Sequence, residues 1–280
     1  MDSLRVGAIQ LPTLGMQDNK LSFYIKSASK KGVDLILFGE YLLNHFFKEL
    51  ETIPKQMVQK QTQNHIDFLK EQSKEYNIIF VAPVVHIDKS GKYLKKIVKI
   101  SPKSISYYQQ QILISYPHWN EKEFFSNPIT ALKPPMVFKL KGFKIMVLGG
   151  FELHFGKFWE YVLKNRIDLV LLPTASTFSS QNRWREIIKT QAFLNGCYIL
   201  RANRLGEFND SSSKIKWKFY GNSILVEPTG EIISELEDRE SMLIETIDRE
   251  IIREHRLEWG FEREIRVRAK KSKKYIKNKI

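Results

Sequence analysis

The chain has 280 residues, 45 Lys and Arg against 31 Asp and Glu, a net charge of +14, six His and one Cys. One thiol excludes an internal disulfide framework and any multi-cysteine metal site, and the scattered His show no metal-ligand spacing, so neither metal nor cofactor is expected. A hydrophobic fraction of 42% separates the chain from disordered compositions. No apolar run approaches the roughly 20 residues of a membrane helix, and Met1-Asp2-Ser3-Leu4-Arg5-Val6 has no secretory pattern, so a cytoplasmic protein is expected.

Residues 5–10 read as a short buried strand that Leu11-Pro12 breaks. Leu21, Tyr24, Ile25 and Ala28 recur at helical spacing, which predicts an amphipathic helix over 18–31 ended by Gly32. Asp34-Leu35-Ile36-Leu37-Phe38 is a continuous apolar run, the mark of a strand covered on both faces. A helix is expected over 59–76, with Ile66, Leu69 and Tyr76 on one face, and a strand over 78–85. Residues 93–101 and 105–114 read as consecutive strands, and 138–140 with 144–148 as a hairpin around Lys141-Gly142-Phe143. Strand 168–172, helix 182–195 and strand 197–202 restore an α/β rhythm. Strands over 220–226, 231–236 and 241–247 close the body around Pro228-Thr229-Gly230.

Continuous apolar strands need cover on both sides, so the pattern predicts mixed sheets with helices outside. No Gly/Ser linker divides the chain. One domain is expected over 1–250, followed by a C-terminal extension over 251–280 that is basic from about 266. The last twenty residues carry nine Lys or Arg against two acids, half of the whole excess. Such a tail is a solvated terminus or a screened contact for an acidic partner or an anionic surface. No nucleic-acid recognition motif accompanies it.

Five segments in order, over residues 5–11, 34–40, 144–155, 168–204 and 220–231, resemble the nitrilase superfamily of carbon–nitrogen hydrolases. Arg5-Val6-Gly7-Ala8-Ile9-Gln10-Leu11 is similar to its first strand, and residues 34–40 to the strand that delivers its catalytic glutamate. Lys144-Ile145-Met146-Val147-Leu148-Gly149-Gly150-Phe151-Glu152-Leu153-His154-Phe155 is similar to its nucleophile strand and turn. Residues 168–174, Arg183-Trp184, residues 192–198 and Ala202-Asn203-Arg204 follow its next block, and Tyr220-Gly221-Asn222-Ser223 with residues 227–231 its closing hairpin. The resemblance implies a four-layer α-β-β-α sandwich that pairs into homodimers, and a small amide-like or carboxylate ligand.

The family's chemistry joins a glutamate base, a cysteine nucleophile and a lysine that stabilises developing charge. The thiolate is the attacking species, the base must lie within hydrogen-bond reach, and the oxyanion needs a donor in place beforehand. Glu40 matches the base. Alignment on Phe151-Glu152 sets Gly150 at the nucleophile position, and no Cys, Ser or Thr occurs from 145 to 160. The lysine position falls on Gln110, with no Lys or Arg from 104 to 121. A second pocket glutamate is expected at Glu121 or Glu123.

Phe151, Glu152, His154, Thr174 and Trp184 are the remaining pocket-lining candidates. His154 is an acid/base candidate beside Glu40 or Glu152, or a hydrogen-bonded structural His. Cys197 is expected to be a small buried hydrophobe. A glycine cannot form a covalent acyl intermediate. The expectation is therefore a pseudoenzyme that keeps the fold for binding, regulation or assembly. An amide or nitrile hydrolase that uses Glu40 without a cysteine, and a binder of anionic partners through the tail, are the alternatives.

Overall fold

The computed structural model describes residues 3–16, 19–210 and 215–268. In chain order the elements are β1 (Ser3–Gln10), α1 (Asn19–Lys30), β2 (Leu35–Phe38), α2 (Phe47–Leu50), α3 (Lys55–Tyr76), β3 (Ile79–Ile87), β4 (Tyr93–Ser101) and β5 (Ser104–Gln109). Two short strands, β6 (Ser115–Tyr116) and β7 (Trp119–Asn120), lead into α4 (Glu121–Phe124). Then come β8 (Met136–Leu140), β9 (Phe143–Val147), a 3-10 turn over Gly150–His154, α5 (Gly156–Asn165), β10 (Leu169–Thr174) and α6 (Gln181–Asn195). The chain continues through β11 (Tyr198–Asn203), β12 (Leu205–Asn209), β13 (Lys216–Tyr220), β14 (Ile224–Val226), β15 (Ile232–Glu235), β16 (Ser241–Asp248) and α7 (Arg249–Glu258).

Two six-stranded mixed sheets carry the fold. One runs β16-β1-β2-β3-β4-β5, the other β15-β14-β11-β10-β9-β8. In each the central pairs are parallel and the outer ones antiparallel. Strand periodicity sorts their side chains. Leu35 and Leu37 of β2 meet Leu169 and Leu171 of β10 in the core between the sheets. Ile36 and Phe38 face the other way, onto Leu21 and Ile25 of α1 and Leu69 of α3. Val170 and Leu172 turn outward onto Phe158 and Val162 of α5 and Ile188 of α6. The result is the expected α-β-β-α sandwich. No helix among the described residues is long and apolar enough to cross a membrane.

Two expected strands are corrected. The strand over 105–114 stops at Gln109. Beyond it the Gln110 N–H still reaches Lys95 O at 3.2 Å, but Glu152 takes the N–H groups of Gln111 and Ile112. The strand over 220–226 is two strands: β13 forms a two-stranded ribbon with β12, and β14 belongs to the second sheet. Gly221 and Asn222, both left-handed at φ 72° and 61°, turn the chain between them. α7 packs Ile252 and His255 into the body, and residues 261–268 are helical. The basic tail expected from about 266 lies, from 269 onward, outside the described residues.

Candidate functional site

Glu40 follows β2 at the sheet's end, where its N–H donates to Thr174 O of β10 at 3.0 Å and so ties the two sheets together. The residue is 4% exposed. One oxygen, Oε1, accepts the Gly150 N–H at 3.3 Å, and Oε2 accepts Lys95 Nζ at 3.1 Å. Lys95 also donates to Glu121 Oε1 at 2.7 Å, and the Tyr41 hydroxyl donates to that oxygen at 2.6 Å. The site therefore contains a lysine after all, and it comes from β4 rather than from the Gln110 position. Lys95 lies on the face of β4 that also carries Ile97, so alternation turns it inward between the sheets; Ile97 is part of that core.

The electrostatics follow from burial. Desolvation raises the Glu40 pKa; Lys95 opposes the rise and Glu121 adds to it. Burial alone would lower the Lys95 pKa, but the two carboxylates outweigh it and hold the ammonium firmly protonated. Burial and the neighbouring carboxylates raise the Tyr41 pKa, which keeps its phenol neutral. Glu121 Oε2 is buried without a partner. Of the two glutamates left open by sequence, Glu121 joins the cluster, whereas Glu123 is exposed and accepts from Asn120 Nδ2 at 3.0 Å.

Gly150 opens the 3-10 turn beside Glu40. A Cβ added there would stand 2.9 Å from Pro173 O and 3.1 Å from Thr174 Cγ2, and one on Gly149 would meet Gln110 Cδ at 2.5 Å. Gln110 itself donates to Ile112 O at 2.9 Å and contributes no charge. Glu152, fully buried, accepts from Tyr108 OH and from the N–H groups of Gly149, Gln111 and Ile112. Burial raises its pKa to about 7 even against those donors.

Thr174 is buried and hydrogen-bonded to Asn203 Oδ1 at 2.9 Å. His154 Nδ1 lies 3.0 Å from Phe151 O and its ring packs edge-on to Trp184. No hydrogen bond joins it to Glu40 or Glu152 among the described residues. Cys197 is wholly buried behind the second sheet, and burial pushes its thiol up to about 12. Among the described residues no group of three or more His, Cys, Asp or Glu could hold a metal ion.

Aromatic packing closes the cluster from above. Tyr41 lies 5.3 Å from Phe46, which packs on Trp119 at 5.2 Å and on Phe219 at 5.4 Å, while Trp119 meets Trp217 at 5.1 Å. A cavity of about 760 Å³ opens beside this plug, lined by Phe151, His154, Ala175, Arg183 and Trp184 among others. Glu40, Lys95, Glu121 and Gly150 do not line it.

The carbon–nitrogen hydrolase family model matches residues 5–257. The chain belongs to the carbon–nitrogen hydrolase family. Among curated relatives of this family, it is 24% identical over 257 residues to N-carbamoylputrescine amidase of Arabidopsis thaliana, covering 86% of this chain and 84% of that one. Among solved structures, a carbon–nitrogen hydrolase from Helicobacter pylori G27 superposes with a TM-score of 0.81 at 21% identity, covering 93% of this chain and 94% of that chain. A glutamate-to-glutamine mutant of the amidase from Nesterenkonia sp. AN1, with acrylamide added at its active-site cysteine, gives 0.73 at 18% identity. It covers 92% of this chain and 98% of its own.

Proposed function

We propose that this member of the carbon–nitrogen hydrolase family is catalytically degenerate and serves as a binding, regulatory or assembly component. The observation that carries the reading is the Gly150 turn. The residue that resemblance sets at the nucleophile position has no side chain, and the backbone oxygen of Pro173 occupies the space a Cβ would need. The covalent route is closed there, because no nucleophile reaches a substrate carbon.

A water-based route meets a second obstacle. A general base must touch the proton it removes, yet Glu40 is buried and does not line the cavity. The sole thiol is no substitute: Cys197 is buried and its pKa is raised, which leaves it neither exposed nor ionised. Together, Glu40, Lys95, Glu121 and Tyr41 act as a polar tie inside a sealed core.

The test is a panel of nitriles, N-carbamoyl amines and ω-amides, assayed with the purified protein and with Glu40→Gln. The expected result is no turnover by either. Turnover that disappears in Glu40→Gln, and that survives thiol alkylation, establishes instead a hydrolase without a cysteine. Light scattering reads the homodimer that the family resemblance implies.

A further inference from the structure

The cavity beside the sealed cluster has the size and lining of a small-molecule site. Its volume of about 760 Å³ falls in the range of pockets that enclose a ligand. Aromatic rings form its walls: Trp184 stands edge-on to His154 at 5.2 Å, Phe151 edge-on to Tyr116 at 5.7 Å, and Phe178 beside Trp217 at 5.0 Å. A planar ring is the shape such walls accept, through offset and edge-to-face contacts.

The polar side of the cavity carries one sign of charge. Arg183 lines it and makes no ion pair among the described residues, and none of the lining residues is an Asp or Glu. Behind Trp184 lies a second cation. Arg201 is fully buried, with its guanidinium 5.1 Å from the Trp184 ring centre. It donates to Thr174 Oγ1, Asn222 O and Tyr220 OH, which are all neutral. With only neutral partners among the described residues, the buried arginine leaves its charge uncompensated, and in a low-dielectric wall that field extends into the adjoining space. Ser176 Oγ and Trp119 Nε1, both on lining residues, are buried without a partner. An acceptor oxygen satisfies such groups when the wall yields to admit it.

We infer that this cavity binds an aromatic monocarboxylate, its ring between Trp184, Phe151 and Phe178 and its carboxylate toward Arg183. The inference rests on the reading of the protein as a binding member of its family, since an acid held there has no scissile carbon–nitrogen bond. A cationic amine is disfavoured by Arg183 and Arg201, and a neutral amide forgoes their attraction.

Isothermal titration calorimetry with 2-naphthoate, 2-naphthamide and 2-naphthylmethylammonium tests it on the full chain. Naphthoate is expected to bind at least about tenfold tighter than the amide, more weakly as salt rises, and the ammonium not at all. Arg183 is exposed, so Arg183→Ala and Arg183→Glu keep the fold. They are expected to weaken naphthoate about tenfold and more than tenfold, respectively. Equal affinity for all three probes, unchanged binding in Arg183→Glu, or no heat with naphthoate at millimolar concentration overturns the site. An inert protein that binds no naphthoate overturns this site alone. Hydrolysis of the amide panel by a protein that does bind naphthoate overturns the functional reading and supports the site.

Discussion

At the scale of the residue, Lys95 decides what the buried cluster is. Among the described residues it is the one cation touching Glu40 and Glu121, at 3.1 and 2.7 Å, and all three side chains are nearly inaccessible. Removing one member of a buried ion pair typically costs about 3–5 kcal/mol, because the other charges stay buried without compensation. Lys95→Met is therefore expected to lose that much stability in urea denaturation at neutral pH. The loss should shrink on acidification, as Glu40, whose pKa burial raises, takes up its proton, and adding Glu40→Gln should recover part of it. A loss below about 1 kcal/mol, the value of an exposed pair, would show that the cluster is open to water.

Glu152 gives a second prediction at this scale. Its folded pKa of about 7 lies above its ordinary value of 4.5, so the native state holds the proton more tightly between those limits. The contribution to stability is complete below about 4.5 and is lost as pH rises through 7. Linkage at about 1.4 kcal/mol per unit makes the effect on the order of 3 kcal/mol. The stability of the parent protein relative to Glu152→Gln should fall by that order between pH 4.5 and 8. A flat difference would mean that the four donors around Glu152 outweigh burial.

At the scale of the element, β1, β2, β9, β10 and β11 were legible because a strand covered on both faces is a continuous apolar run, and α1 because its apolar positions recur every three to four residues. The break between β13 and β14 was not legible. It depends on Gly221 and Asn222 adopting left-handed φ against Gln10, whose Nε2 would lie 2.6 Å from a Cβ on Gly221. That is a contact over more than two hundred residues. Glu40 was legible only through the resemblance of the segments around it, since a glutamate at a strand end is by itself common. Lys95 was not legible, because an isolated lysine in an alternating strand looks like a solvent-facing one until the second sheet is set against it. The 3-10 turn carries its own test. Gly150→Cys introduces a thiol beside Glu40 but drives its Cβ against Pro173 O, and overpacking of this kind costs about 1–3 kcal/mol. The variant is expected to be destabilised by that amount and to show no turnover on the amide panel. Efficient turnover by Gly150→Cys would show that the turn moves freely and that only the sulfur is missing.

For the whole molecule, β16 and α7 hold the sandwich shut. β16 pairs with β1 along the edge of the first sheet, and α7 then crosses to the second. There Arg256 donates to Asp168 Oδ1 at 2.9 Å and Ile167 O at 2.6 Å, next to β10, and His255 Nε2 lies 2.9 Å from Phe193 O of α6. Ile252 is packed into the core between the sheets. One continuous segment thus touches both halves, so its loss should act on the halves together. Ile252→Ala is expected to cost about 2–5 kcal/mol, and Arg256→Leu about 1–3 kcal/mol through the unpaired Asp168 and Ile167 O. Both should shift a single cooperative unfolding transition, read alike by tryptophan fluorescence and far-ultraviolet circular dichroism. Two separated transitions in either variant would mean that the sheets unfold independently and that α7 is an appendage of the second alone.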